Sequence, residues 1–259
     1  MNVFIVLGAI LGAAFGGLTG ALIGGALGYI VVNTLLRSVV GSLRVSQSQL
    51  IDSTFAVMGA VCKADNVVTP DEIKVVEHIF GMLNLDGEQR EQARAAFARG
   101  KQPDFNLDDA VDQFAHLSRG RGPLLQLFLQ LQCMAIAADG KVDPAEHAML
   151  VSIARRLGLH EADVSQLEAL LRAAGAGPSA AGSAPTADRL ADAYLALGVT
   201  EDSTAAEIKR AYRKLISKSH PDKLASRGLP ESMRAVAEER SREIISAYNL
   251  IKAARSDVK

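Results

Sequence analysis

Three residues, His220, Pro221 and Asp222, close a basic helical stretch, and their types and spacing are the most specific chemistry in the chain. Proline disfavours the helical region for the residue before it, so Pro221 ends the helix at His220 and stiffens the turn. Five cations precede the turn: Lys209, Arg210, Arg213, Lys214 and Lys218. A charge run on a helix is ordinarily a solvated face, and a proline turn ordinarily only ends a helix. Catalysis is not expected. The sequence offers no nucleophile–base pair, no P-loop, no dinucleotide fingerprint and no metal-ligand motif.

A second group of candidates is acidic. Asp139, Asp143 and Glu146 could offer oxygens to a hard cation, with Asp65 and Glu72 as a counterpart cluster. The spacing is not that of an EF-hand loop. Helix capping already accounts for most of these residues, because Thr69-Pro70-Asp71-Glu72 and Asp143-Pro144-Ala145-Glu146 both read as capping boxes with proline at the first helical position. No metal or other cofactor is therefore expected. His78, His116, His147 and His160 share no zinc signature and read as surface or helix-end histidines. Cys62 and Cys133 stand in apolar stretches, outside any CxxC spacing, and read as small core residues.

The elements that position these residues are helical. Hydrophobic residues make up 49% of the chain, but Trp is absent and aromatics are few, so small apolar residues carry the total. That composition suits helices better than sheets. Net charge is −1, which argues for neither nucleic acid nor acidic substrates as partners.

In the last 70 or so residues a short helix is expected over 188–197, ending near Gly198. Thr204 and Glu207 then cap a second helix that runs to about Ser219, with Ile208, Ala211, Tyr212 and Leu215 as its buried stripe. A loop through Pro230 leads to a third helix over 231–254, with Ala235, Ile244, Ala247, Tyr248 and Ile251 facing the core. The two longer helices must lie antiparallel to bury both stripes. This stretch resembles the J-domain. The residues that carry the resemblance are Leu197-Gly198-Val199, the run Glu207 to Leu215, His220-Pro221-Asp222-Lys223, and Ile244, Ala247 and Tyr248. Ala193 stands where the family often has Tyr, and no Gly/Phe-rich region or cysteine zinc repeat follows.

The resemblance implies a partner, a DnaK-type chaperone in its ATP state. Lys209, Arg213, Lys214 and Lys218 would meet an acidic surface on it, which gives orientation and fast encounter more than affinity. Tyr212 would pack between helices near the contact. His220 would fix the turn, Pro221 would reduce the entropy lost on docking, and Asp222 would engage the groups that couple the partner's ATPase and substrate domains.

Upstream, residues 50–172 show helical periodicity and an internal repeat. Ala60 to Asp86 aligns with Met134 to His160, matching Asp65 with Asp139, Val68 with Val142, Pro70 with Pro144, Glu72 with Glu146 and Leu83 with Leu157. Each copy reads as helix, acidic turn, helix, and two such hairpins can share one core. The repeat resembles the TerB-like helical domain, which implies an all-helical module whose acidic turns are a proposed metal or partner site in some relatives. In the first copy Asn66 replaces Gly and Thr69 replaces Asp.

Residues 173–187, AAGAGPSAAGSAPTA, carry no charge and no large apolar side chain. They read as a mobile linker, with the last domain tethered rather than packed.

Residues 1–36 contain no charged side chain. The run exceeds the roughly 20 apolar residues that span a bilayer, and no basic residue precedes it as in a signal peptide. Arg37 and Arg44 flank only its C-terminal side, within a juxtamembrane segment 37–49. The positive-inside rule then puts the N-terminus in the periplasm and the later domains in the cytoplasm. Gly8, Gly12, Gly16, Gly20, Gly24 and Gly28 recur every four residues, a groove of small residues suited to helix self-association and hence a homodimer.

The expected architecture is all-α: an N-terminal transmembrane helix, a central TerB-like helical domain with an internal repeat, and a C-terminal J-domain helical hairpin over 188–259. The combination resembles the DjlA type of membrane-anchored, DnaJ-like co-chaperone at the bacterial inner membrane. It implies a single-pass protein that is not itself an enzyme but stimulates its partner's ATPase. The alternative is a scaffolding or metal- or partner-sensing protein that acts through the TerB-like domain, with an accessory J-domain.

Overall fold

The computed structural model describes residues 48–64, 69–118, 122–137, 142–174, 187–226 and 229–256. The chain divides into two bodies, Met1–Leu50 and Ile51–Lys259. Of the first, only the helical residues 48–50 are described. The expected membrane segment, its six glycines and most of the juxtamembrane segment lie outside the described residues. Among the described residues, no helix is long and apolar enough to cross a membrane, and all regular structure is helical.

The second body opens with α1, helical over residues 51–61, followed by α2 Pro70–Met82, α3 Gly87–Gly100 and α4 Leu107–Ser118. Then come α5 Gly122–Ile136, α6 Pro144–Arg156 and α7 Glu161–Ala174. The last part holds α8 Ala187–Leu197, α9 Ala205–Ser219, the short α10 Pro221–Ala225 and α11 Arg234–Ser256.

The internal repeat is visible in cap chemistry. Both α2 and α6 have 13 residues, begin with proline and carry complete capping boxes, Thr69 with Glu72 and Asp143 with Glu146. They also end alike. Asn84 at φ 51° and Gly158 at φ 74° take the left-handed position after the C-cap, and Leu85 N–H and Leu159 N–H close back on the Phe80 and Ala154 carbonyls. Glu72 and Glu146 are both buried, at 5% and 4% exposure. Burial foremost, then the nearby Glu72 and Glu146 carboxylates, push the Cys62 thiol well above its ordinary range. The two hairpins thus bring their cap glutamates toward one cysteine. Asp65, Val68 and Asp139 lie outside the described residues.

The core of this module is built around α5, which is buried nearly all round and contains Phe128, Leu127, Leu129, Leu131 and Cys133. Phe114 stacks on Phe128 at 3.9 Å, and Phe55 meets Phe80 edge-on at 4.9 Å. Gly59 and Gly100 let α1 and α3 touch backbone to backbone, since a Cβ on either would collide with a carbonyl of the other helix.

The expectation of a tethered last domain does not hold for the described residues. Helix α7 continues through Ala174, two residues into the expected linker, and its Ala169, Leu170 and Ala173 share one core with Ala193, Tyr194, Ala196, Leu197, Ile244, Ala247 and Ile251. Composition speaks only for the segment between the domains. It carries no information about the faces on either side. Residues 175–186 themselves lie outside the described residues.

Candidate functional site

Helix α9 starts on Thr204, whose hydroxyl accepts from Glu207 N–H while the Glu207 carboxylate accepts from Thr204 N–H at 2.7 Å. These bonds hold the Glu207 carboxyl below its ordinary range. Ile208 is buried, and Ala211, Tyr212 and Leu215 are half-buried along the same stripe. Tyr212 stacks on Tyr248 of α11, with centroids 4.3 Å apart, so it does pack between the helices. The opposite face carries Lys209, Arg210, Arg213, Lys214 and Lys218, all exposed.

The helix stops as the sequence requires. His220 has extended backbone, φ −60° and ψ 126°, and serves both as C-cap of α9 and as N-cap of the next helix. In place of the expected open loop, α10 starts at once, with Pro221 at its first position. The reason is that an extended residue before proline, which ends one helix, is also the geometry that starts another. Asp222 N–H donates to His220 Nδ1 at 3.3 Å, across the turn. Buried Leu224 roots α10 in the fold, leaving His220 and Asp222 exposed and Pro221 half-buried.

Two residues that sequence reading missed complete the site. Arg234, at the start of α11, donates to Asp222 Oδ1 at 3.4 Å and to Glu238 at 3.1 Å, so it orients the aspartate from across the loop. Arg255, near the far end of α11, donates to Tyr194 Oη and to the Ser203 and Glu201 carbonyls, tying α11 to the turn that launches α9. The contact of Arg234 with Asp222 and those of Arg255 span 12 residues or more, beyond the reach of local pattern. The α11 core face is the expected one except at Ala235. A short 3-10 turn, Glu231–Met233, precedes it, and the buried set is Met233, Val236, Ala237, Ile244, Ala247 and Ile251, with Ala235 partly exposed. The spacings of four and three from Ala237 set that stripe, and Ala235 falls off it.

Asp65 and Asp139 of the acidic turns lie outside the described residues, and among the described residues no group of three or more His, Cys, Asp or Glu side chains could hold a metal ion. His78, His116 and His160 are exposed, while His147 Nδ1 pairs with Glu168 at 2.8 Å. Cys62 and Cys133 are buried free thiols.

Two family models match the chain, "Tellurite resistance protein TerB" over residues 51–169 and "DnaJ domain" over residues 192–256. Among curated proteins, it is 42% identical to "Co-chaperone protein DjlA" of Photobacterium profundum, over 80% of this chain and 78% of that one. It is 36% identical to the protein of the same name from Shewanella oneidensis, over 84% and 82%, and 41% identical to that from Vibrio cholerae, over 80% and 78%. No solved structure matches. With a TerB module, a DnaJ domain and this identity over most of both chains, the protein belongs to the DjlA family of J-domain co-chaperones.

Proposed function

We propose that this chain recruits a DnaK-type chaperone to the inner face of a membrane and stimulates its ATP hydrolysis. The observation that carries the reading is the exposed His220-Pro221-Asp222 turn, closed by a backbone bond to His220, oriented by Arg234 and set at the end of a basic helix face. Lys209, Arg213, Lys214 and Lys218 steer the acidic partner, and Tyr212 holds that helix to α11. Asp222 makes the coupling contact, and hydrolysis takes place in the partner, so the chain needs no catalytic residue or cofactor of its own. Residues 1–36 anchor it as a single span, with the N-terminus periplasmic, and Gly8, Gly12, Gly16, Gly20, Gly24 and Gly28 bring two copies together. Single-turnover ATPase measurements on a DnaK-type chaperone, with wild-type chain and with His220→Gln, test the reading.

A further inference from the structure

The J-domain lies on the TerB-like module through contacts whose chemistry differs from an ordinary core. Part of the contact is apolar, with Ala169, Leu170 and Ala173 of α7 against Ala193 and Leu197 of α8. Around this lies a polar frame. Arg172 of α7 pairs with Asp192 of α8 at 2.9 Å, and Gln166 donates to the Ala196 carbonyl at 2.7 Å. At the far side, Gln130 Nε2 of α5 donates to Glu243 of α11 at 3.0 Å, a bond across 113 residues.

That last contact is poorly compensated. Glu243 is 5% exposed and Gln130 fully buried. Gln130 Oε1 and Arg240 Nε are buried there without a hydrogen-bond partner. The charged and titratable groups that act on the carboxyl are Glu239, Arg240 and Arg242 on α11 and Cys133 on α5, while Asp163 and Glu168 of α7 act in turn on Arg240 and Cys133. None of them makes a salt bridge with Glu243 within 4 Å among the described residues. A buried carboxylate with one amide donor costs free energy that a neutral carboxylic acid does not.

We propose that the α5–α7 face of the TerB-like module is a releasable docking surface for this chain's own J-domain, with the Glu243 carboxyl as its latch. When docked, it holds the J-domain by α8 and α11, and the basic face of α9 and the His220-Pro221-Asp222 turn stay exposed. The clamp therefore aims the J-domain without blocking it.

Linkage sets the direction of the latch. Burial first, then Glu239, push the Glu243 carboxyl from its ordinary 4.5 up to about 7 in the docked state. A group whose value rises on docking takes up a proton on docking. Its contribution is fully present below the ordinary value and is lost as pH rises through about 7. Between pH 6 and pH 8 the open-to-docked ratio should rise roughly tenfold.

The test uses the full chain in detergent, diluted with unlabelled chain, with spin labels at Glu88→Cys and Asn249→Cys. Both positions are exposed, while the native cysteines are buried. Wild type should show one narrow inter-label distance at pH 6 and a second, broader population growing about tenfold by pH 8. Glu243→Gln keeps the hydrogen bond but cannot ionise, so its distribution should be the same at both pH values. Gln130→Glu should populate the broad form already at pH 6. A wild-type distribution that changes less than twofold between the two pH values overturns the proposal, and so does a pH response that survives in Glu243→Gln.

Discussion

Asp222 shows what a single position in this fold depends on. Its carboxylate is exposed and flexible by type, yet the structure gives it an address: a backbone bond to His220 behind it and Arg234 beside it. Arg234 is itself held by Glu238 one turn along α11. An exposed pair of this kind adds little stability, about 0–1 kcal/mol, so its worth lies in orientation. Arg234→Ala should therefore leave the unfolding midpoint nearly unchanged. It should lower ATPase stimulation of a DnaK-type chaperone several-fold at subsaturating concentration, measured beside a denaturation curve on the same preparation. The turn is legible in the sequence, because proline constrains its neighbour by local sterics. Arg234 and Arg255 are not, because a partner 12 to 61 residues away leaves no periodic trace.

Among the elements, helix termini are the most legible. Of four capping boxes among the described residues, those on α2, α6 and α9 form where they are expected, α3 adds one through Asp86 and Gln89, and the paired left-handed residues Asn84 and Gly158 carry the repeat through to the helix ends. A cap acts through bonds that span three residues, so its whole mechanism is written locally. Thr204→Ala removes one such bond at the start of α9 and should cost about 1 kcal/mol in urea unfolding of the full chain, with the m-value unchanged. Helix phase is legible along most of α11, where the expected Ile244, Ala247 and Ile251 are all buried and Tyr248 packs against them. Ala235 is the exception, because it stands nine residues before Ile244 and so on the opposite side of the helix, and Val236 and Ala237 carry the stripe instead. The open loop expected after His220 is α10 because proline reads as a stop, although it also sits at the favoured first position of a helix.

At the scale of the whole molecule, the sequence identifies the parts better than their arrangement. The two modules have separate signatures, and the segment between them has the composition of a linker. Docking of α8 and α11 on α5 and α7 brings Gln130 to Glu243 and Arg172 to Asp192 around the apolar contact of Ala169, Leu170 and Ala173, ordinary residues whose meeting exists only in three dimensions. The glycine repeat makes a claim at this same scale. If the proposed self-association is right, Gly16→Leu with Gly20→Leu should shift the chain from dimer toward monomer in a crosslinking or helix-dimerisation assay, because leucine holds the two backbones apart. On the proposed reading, anchor, docked module and exposed turn make a co-chaperone that fixes where its partner is engaged and in what orientation. The most direct test is single-turnover ATP hydrolysis by a DnaK-type chaperone as a function of added full-length chain. Stimulation that rises and saturates with wild type and is abolished by His220→Gln, with the variant's helical content and melting curve unchanged, is the predicted result. Equal stimulation by the two proteins would contradict the account.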